Sequence, residues 1–228
     1  YSGGTTLRNG TLAINNATAI GTGALTIVSG TLGNTSGANI TLSNNNAQNW
    51  NGNFTYNSTK DLNMGTGAVS MNASRTVTVS SSNFTVGGII SGSGYSLTKN
   101  GSGTMILSGA NTYTGATTIN AGTLTANGGS AIANASAVSV GSGAVFNLGA
   151  SETVGSIAGA GNITLGSFTL TAGGDNSSTT ASGVISGTGA LTKTGTGVLT
   201  LSGANTYNGT TTVSAGTLKA GSITGISS

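Results

Sequence analysis

The stretch from Leu97 to Leu124, LTKNGSGTMILSGANTYTGATTINAGTL, returns as Leu191 to Leu218, LTKTGTGVLTLSGANTYNGTTTVSAGTL, at a constant offset of 94 residues. Within it Leu107–Tyr113 and Leu201–Tyr207 are identical, LSGANTY. A truncated copy opens the chain, where Tyr1 to Leu12, YSGGTTLRNGTL, lines up with Tyr113 to Leu124. Self-similarity of this kind marks a repeat architecture, in which each unit buries its apolar face only against its neighbours. The whole of 1–228 therefore reads as one continuous segment with landmarks at 1–12, 97–124 and 191–218.

Between landmarks the pattern has period 2. In Thr104-Met105-Ile106-Leu107 and Val198-Leu199-Thr200-Leu201 the second and fourth residues are apolar in both copies, while the third varies between Ile106 and Thr200. Side chains alternate across a strand, so Leu107, Leu201, Leu124 and Leu218 are expected in a core, with Ile106 and Thr200 turned away from it. The same parity runs back through Gly103, Gly101 and Lys99 to Leu97. Forwards it passes Gly109, Asn111, Tyr113, Gly115 and Thr117 to Ile119, then slips at Ala121-Gly122. Glycine on an inward position marks a corner, where the backbone passes too close for a side chain. No stretch sustains a 3.6-residue period with helix caps. Short strands without helices, and without regularly spaced hairpin turns, favour an all-β coiled parallel solenoid over a sandwich. At roughly 20 residues a rung, the chain makes about ten to twelve turns and a rod about 50 Å long, with about five rungs per 94-residue repeat.

Glycine at 41 of 228 residues could signal a disordered chain, but disorder comes with charge, and charged residues are only 4%. Proline is absent, as suits rungs that each need their backbone N–H for the ladder. The net charge of +3 comes from scattered residues, Arg8, Lys60, Arg75, Lys99, Lys193 and Lys219 against Asp61, Glu152 and Asp175. Without a basic cluster, nucleic acid is not an expected partner. No apolar run approaches the length of a membrane helix, so the segment is not expected to span a bilayer in that way.

One stretch breaks the pattern. Asn44 to Asn57, NNNAQNWNGNFTYN, holds the only Trp and is the most asparagine-rich part of the chain. It reads as an irregular rung or a loop leaving the body. Trp50 and Tyr56 there are the candidates for an aromatic platform that binds glycan; the competing reading makes them plugs for a wider rung.

LTKTGTGVLTLSGANTYNGTTTVSAGTL, its earlier copy and the approach VGSIAGAGNITLG together resemble the passenger-associated repeat of bacterial autotransporters. The resemblance covers both full landmarks and the opening residues, extends more loosely over Val154 to Ser186, and is poor from Asn44 to Ser91. It implies a right-handed parallel β-helix, displayed at the surface of a Gram-negative cell or released from it, in which the repeat helps the passenger cross the outer membrane and fold outside. Two function classes follow: a structural stalk that aids secretion and spaces other parts, or an adhesive or self-associating module binding glycans, host surfaces or identical chains. The tail Gly221 to Ser228, GSITGISS, offers no charged or helical cap, so end-to-end stacking of the isolated segment is expected.

Catalysis is not expected. The chain has no His and no Cys, which removes Ser-His-Asp and Cys-His arrangements, thiolate and imidazole metal sites, and disulfides. No P-loop or complete dinucleotide fingerprint occurs, and no cofactor is expected. Parallel β-helices can carry paired carboxylates for sugar chemistry, so Glu152 and Asp175 merit a check as neighbours across one rung. Asp175, in Gly173-Gly174-Asp175-Asn176, reads as a turn rather than a calcium ligand. Lys99 and Lys193 share a repeat position. Each is expected at a corner, with its amine bonded to carbonyls of the next rung. Tyr113 and Tyr207 are expected to stack at a corner of the core, hydroxyl at the edge.

Overall fold

The structure, a computed structural model, describes residues 1–221. Among these there is no helix, and every paired strand is parallel. The chain coils into a β-solenoid of about ten turns with three faces. One face is an unbroken sheet of 11 strands from Thr11–Ile14 to Thr217–Ala220. A second carries 8 strands, from Ile40–Thr41 to Ile185–Ser186. The third holds 5 strands, Thr5–Leu7 to Ile90–Ser91, and after a gap 4 more, Glu152–Val154 to Thr211–Val213. With rungs about 4.8 Å apart, 11 strands span about 50 Å.

Alternation stacks apolar side chains of successive rungs into columns. Along the second face Leu62, Phe84, Met105, Leu124, Phe146, Ile163 and Ile185 stand in register on successive rungs, all of them buried. Leu107 and Leu201 are buried as the parity requires, and Ile106 and Thr200 lie on the outer side, half-buried. Leu218 differs: it is half-buried, because it pairs with Leu199 on one side and no described rung stacks on the other. Inward glycines do mark corners. A Cβ on Gly109 would lie 2.3 Å from the carbonyl oxygen of Gly88, and one on Gly203 2.0 Å from that of Gly183.

The stretch 44–57 is not a loop leaving the body. Gln48–Trp50 and Phe54–Tyr56 are strands paired with the rungs on both sides. The asparagines that disguise it make the corner bonds: Asn44 and Asn46 donate to the carbonyl of Gly21 at 2.7 and 2.9 Å, and Asn45 adopts φ 48°. Its rung is wide. Thr31 pairs with Thr55, a step of 24 residues, where Leu97 pairs with Thr117, a step of 20.

The 94-residue repeat is not a whole number of turns. The long sheet carries Leu97 through Thr117, Val138 and Ile157 to the strand of Thr179 and then to Leu199, five steps in 102 residues. The second landmark therefore falls eight residues short of five turns and lands one face round. Thr104–Leu107 lies in the second face, whereas its copy Val198–Leu201 lies in the long sheet. The motif specifies a strand, a corner and the next strand, independent of which face receives them.

Leu107→Ala removes a fully buried side chain from a close-packed column and should cost about 2–5 kcal/mol. Ile106→Thr, on the outer side of the same strand, should cost far less. Urea unfolding of both variants checks this, and equal losses would contradict the register.

Candidate functional site: polar groups inside the solenoid

The landmark motif buries polar side chains at matching positions, Lys99 and Asn111 in the first full copy and Lys193 and Asn205 in the second. Lys99 and Lys193 are both buried, each with its amine turned onto backbone carbonyls. The Nζ of Lys99 donates to the carbonyls of Gly101 at 2.6 Å and Ala121 at 2.9 Å. Lys193 donates to Thr194, to Gly195 at 2.9 Å and to Ala215 at 3.4 Å. Ala121 and Ala215 belong to the following rung, so each amine ties two corners together, as its repeat position suggested. Burial lowers the Lys99 amine from its ordinary 10.5 to about 8.

The LSGANTY corner replaces a strand. Ile90 ends the first run of strands on the third face, and its N–H donates to Oδ1 of Asn111 at 2.7 Å. The Nδ2 of Asn111 donates to the carbonyl of Ala131 at 2.6 Å. The N–H groups of Ala131 and Ile132 then donate to the two carboxylate oxygens of Glu152, at 3.1 and 3.0 Å, and Glu152 begins the second run. Two rungs lacking a strand are thus bridged by one amide and one carboxylate. Each supplies the donor or acceptor that a peptide group would have given. In the second copy the N–H of Ile185, last strand of the second face, donates to Oδ1 of Asn205 at 2.8 Å. Burial pushes the Glu152 carboxyl up from its ordinary value, opposed by its two N–H donors.

Tyr113 goes deeper than a core edge. It is fully buried, with its hydroxyl 2.7 Å from Oγ1 of Thr117. Tyr207 repeats the contact with Thr211 at 2.7 Å. Burial raises both phenols above their ordinary value.

The aromatic candidates are inside. Trp50 and Tyr56 are each 0% exposed, so neither ring offers a face to a sugar. Trp50 meets Phe54 edge-on at 5.1 Å, Tyr56 stacks on Phe84 at 5.2 Å, and together they fill the wide rung. The carboxylates are kept apart in role. Asp175 accepts from Ser156 at 2.5 Å and from the N–H of Ser177 at 2.9 Å, a turn contact, while Glu152 accepts from the N–H groups of Ala131 and Ile132. Asp61 takes the N–H of Asn83 at 2.9 Å and the side chains of Asn39 and Asn83. Among the described residues no group of acidic side chains could hold a metal ion, and no helix is long and apolar enough to cross a membrane.

On the outside, the long sheet bears two shallow clefts. One of about 320 Å³ is lined by Thr31, Asn53, Phe54, Thr55, Thr76 and Thr78. The other, of about 350 Å³, lies over Thr179, Thr180, Val198, Thr200 and Lys219. Hydroxyls dominate both, and neither brings together an acid and a base. Sequence reasoning placed Asn111 on the inward parity without giving it work, and its signal was there: a polar residue on an apolar position, kept in both copies.

Three stretches, residues 1–14, 97–126 and 191–220, match the passenger-associated-transport-repeat. The chain carries passenger-associated transport repeats. The matched boundaries end each repeat on the strand that follows the corner, Thr11–Ile14, Thr123–Ala126 or Thr217–Ala220. No curated protein and no solved structure matches the chain.

The lysine is the titratable test of this interior. Because the folded chain holds the Lys99 proton less tightly than the unfolded one, stability should rise as pH climbs from about 8 towards 10.5. The raised phenols act in the opposite sense above their ordinary 10.0, which leaves a window from about 8 to 10. Urea titrations across that window should show the rise in the parent chain and lose it in Lys99→Met.

Proposed function

We propose that the segment is a rigid spacer in the passenger of an autotransporter-type protein, at the surface of a Gram-negative bacterium or secreted from it. The passenger-associated transport repeats support the passenger assignment and suggest that location. The observation that carries the spacer reading is the unbroken 11-strand sheet, which couples about ten turns through one backbone ladder. A rod of that kind holds a distal part at a fixed distance, and its stiffness comes from the fold itself. The interior is committed to structure: Lys99, Lys193, Asn111 and Glu152 bind backbone groups. Catalysis by this segment is not part of the proposal. The repeats would aid secretion by giving the emerging chain units that each close on the preceding rung.

The adhesive reading loses its aromatic platform, since Trp50 is in the core. What stays with it is the hydroxyl-rich outer face of the long sheet. One experiment separates the readings. In the full-length protein, the segment is replaced by an unrelated β-solenoid with the same number of rungs. The spacer reading expects surface display of the distal part and the cells' attachment and clumping to persist. Loss of attachment or clumping with display intact would show that the segment's own side chains bind.

A further inference from the structure

Among the described residues two buried side-chain atoms have no hydrogen-bond partner, Oδ1 of Asn46 and Nε2 of Gln48. One is an acceptor and the other a donor. Both side chains lie on the inward parity of one stretch, two positions apart, with Trp50 next on the same side. They are 3% and 1% exposed, so bulk solvent does not serve them.

The neighbours fix which end of each amide is left over. Nδ2 of Asn46 donates to the carbonyls of Gly21 at 2.9 Å and Gly23 at 2.7 Å, so a flip would set its oxygen against two carbonyl oxygens. Oε1 of Gln48 accepts from the indole N–H of Trp50 at 3.2 Å, so a flip would set an amide NH₂ against that N–H. Asn111, the corner asparagine of the landmark motif, shows the contrast, since both ends of its amide are occupied.

The adjacent rungs bring no side chain that fills the need. Gln48 pairs with Leu25 on one side and Val69 on the other, both aliphatic. Gly67, stacked so closely on Asn46 that a Cβ would lie 2.1 Å from its carbonyl oxygen, has no side chain. The site falls in the wide part of the solenoid: Leu25 to Gln48 is a step of 23 residues, where Leu97 to Thr117 is a step of 20.

We propose that Asn46 and Gln48 form an internal binding site for one water molecule, which accepts from Nε2 of Gln48 and donates to Oδ1 of Asn46. A buried donor and a buried acceptor left apart each carry the cost of lost hydration, and one water between them relieves both. The site also fixes the register of its rung. A slip by one residue would turn Asn46 and Gln48 outward and bring Ala47 and Asn49 in, giving up the bonds to Gly21, Gly23 and Trp50 together with the water. Polar side chains thereby set a register that apolar ones set elsewhere in the solenoid.

Two measurements on the whole chain test this. A crystal structure that resolves ordered water should place one within hydrogen-bond distance of both atoms. Oxygen-17 relaxation dispersion, which counts long-lived internal waters, should find one fewer in Gln48→Met than in the parent chain. A direct bond between Nε2 of Gln48 and Oδ1 of Asn46, a protein group bonded to either atom, or no density between them would overturn the proposal. So would an unchanged count in folded Gln48→Met, and if that variant does not fold the crystal structure of the parent decides alone.

Discussion

Every rung of this chain is held by the backbone ladder to the rung before it, and that ladder is the constraint on which the rest depends. A buried N–H or carbonyl without a partner costs more than any single surface contact returns. A solenoid must therefore find a donor and an acceptor for each peptide group at every turn. Where a strand is present its neighbour supplies them. Where the landmark corner crosses a face without a strand, Asn111 supplies them from its amide and Glu152 from its carboxylate. Lys99 and Lys193 do the same for corner carbonyls, in which an ammonium takes the place of absent N–H groups. The buried polar residues are the ladder continued by other means.

This accounts for a composition that would otherwise argue against folding. Glycine is abundant because corners of successive rungs stack backbone on backbone, as Gly109 does on Gly88 and Gly203 on Gly183. Charge is scarce because the outer positions carry Thr, Ser and Asn, which hydrate the surface and bridge rungs side by side. Asn49 reaches Thr26 at 3.2 Å and receives Ser70 at 3.0 Å. Such a surface has little to steer a charged partner and much to keep ten turns in register.

How much of this could be read from the residues depended on what carried the signal. The period-2 alternation placed Leu107, Leu124 and Leu201 inside, because burial on one side of a strand leaves a direct trace in the sequence. The shared position of Lys99 and Lys193 marked them as corner amines for the same reason: recurrence at one level of the repeat. Asn44 to Asn57 left a rung and a loop both open, because asparagine signals a loop by local propensity, whereas in a corner its side chain completes the ladder. Trp50 and Tyr56 admitted two readings, a surface platform or plugs for a wider rung, and the 24-residue rung that gives them room is set by pairing between distant strands. The advance of one face between landmarks was equally hidden. An offset of 94 fixes the spacing of the motifs but says nothing of the rung lengths between them.

The account stands most directly on the side-chain bridges across the third face, and amide hydrogen exchange read residue by residue measures them. If Asn111 and Glu152 stand in for strands, the N–H groups of Ile90, Ala131 and Ile132 should be protected to the same degree as Leu97 and Leu170, which donate to backbone carbonyls of the neighbouring rung. Exchange at Ala131 and Ile132 as fast as at the exposed Gly128 and Gly129 would mean that the face is open there, and that the ladder does not run through the gap.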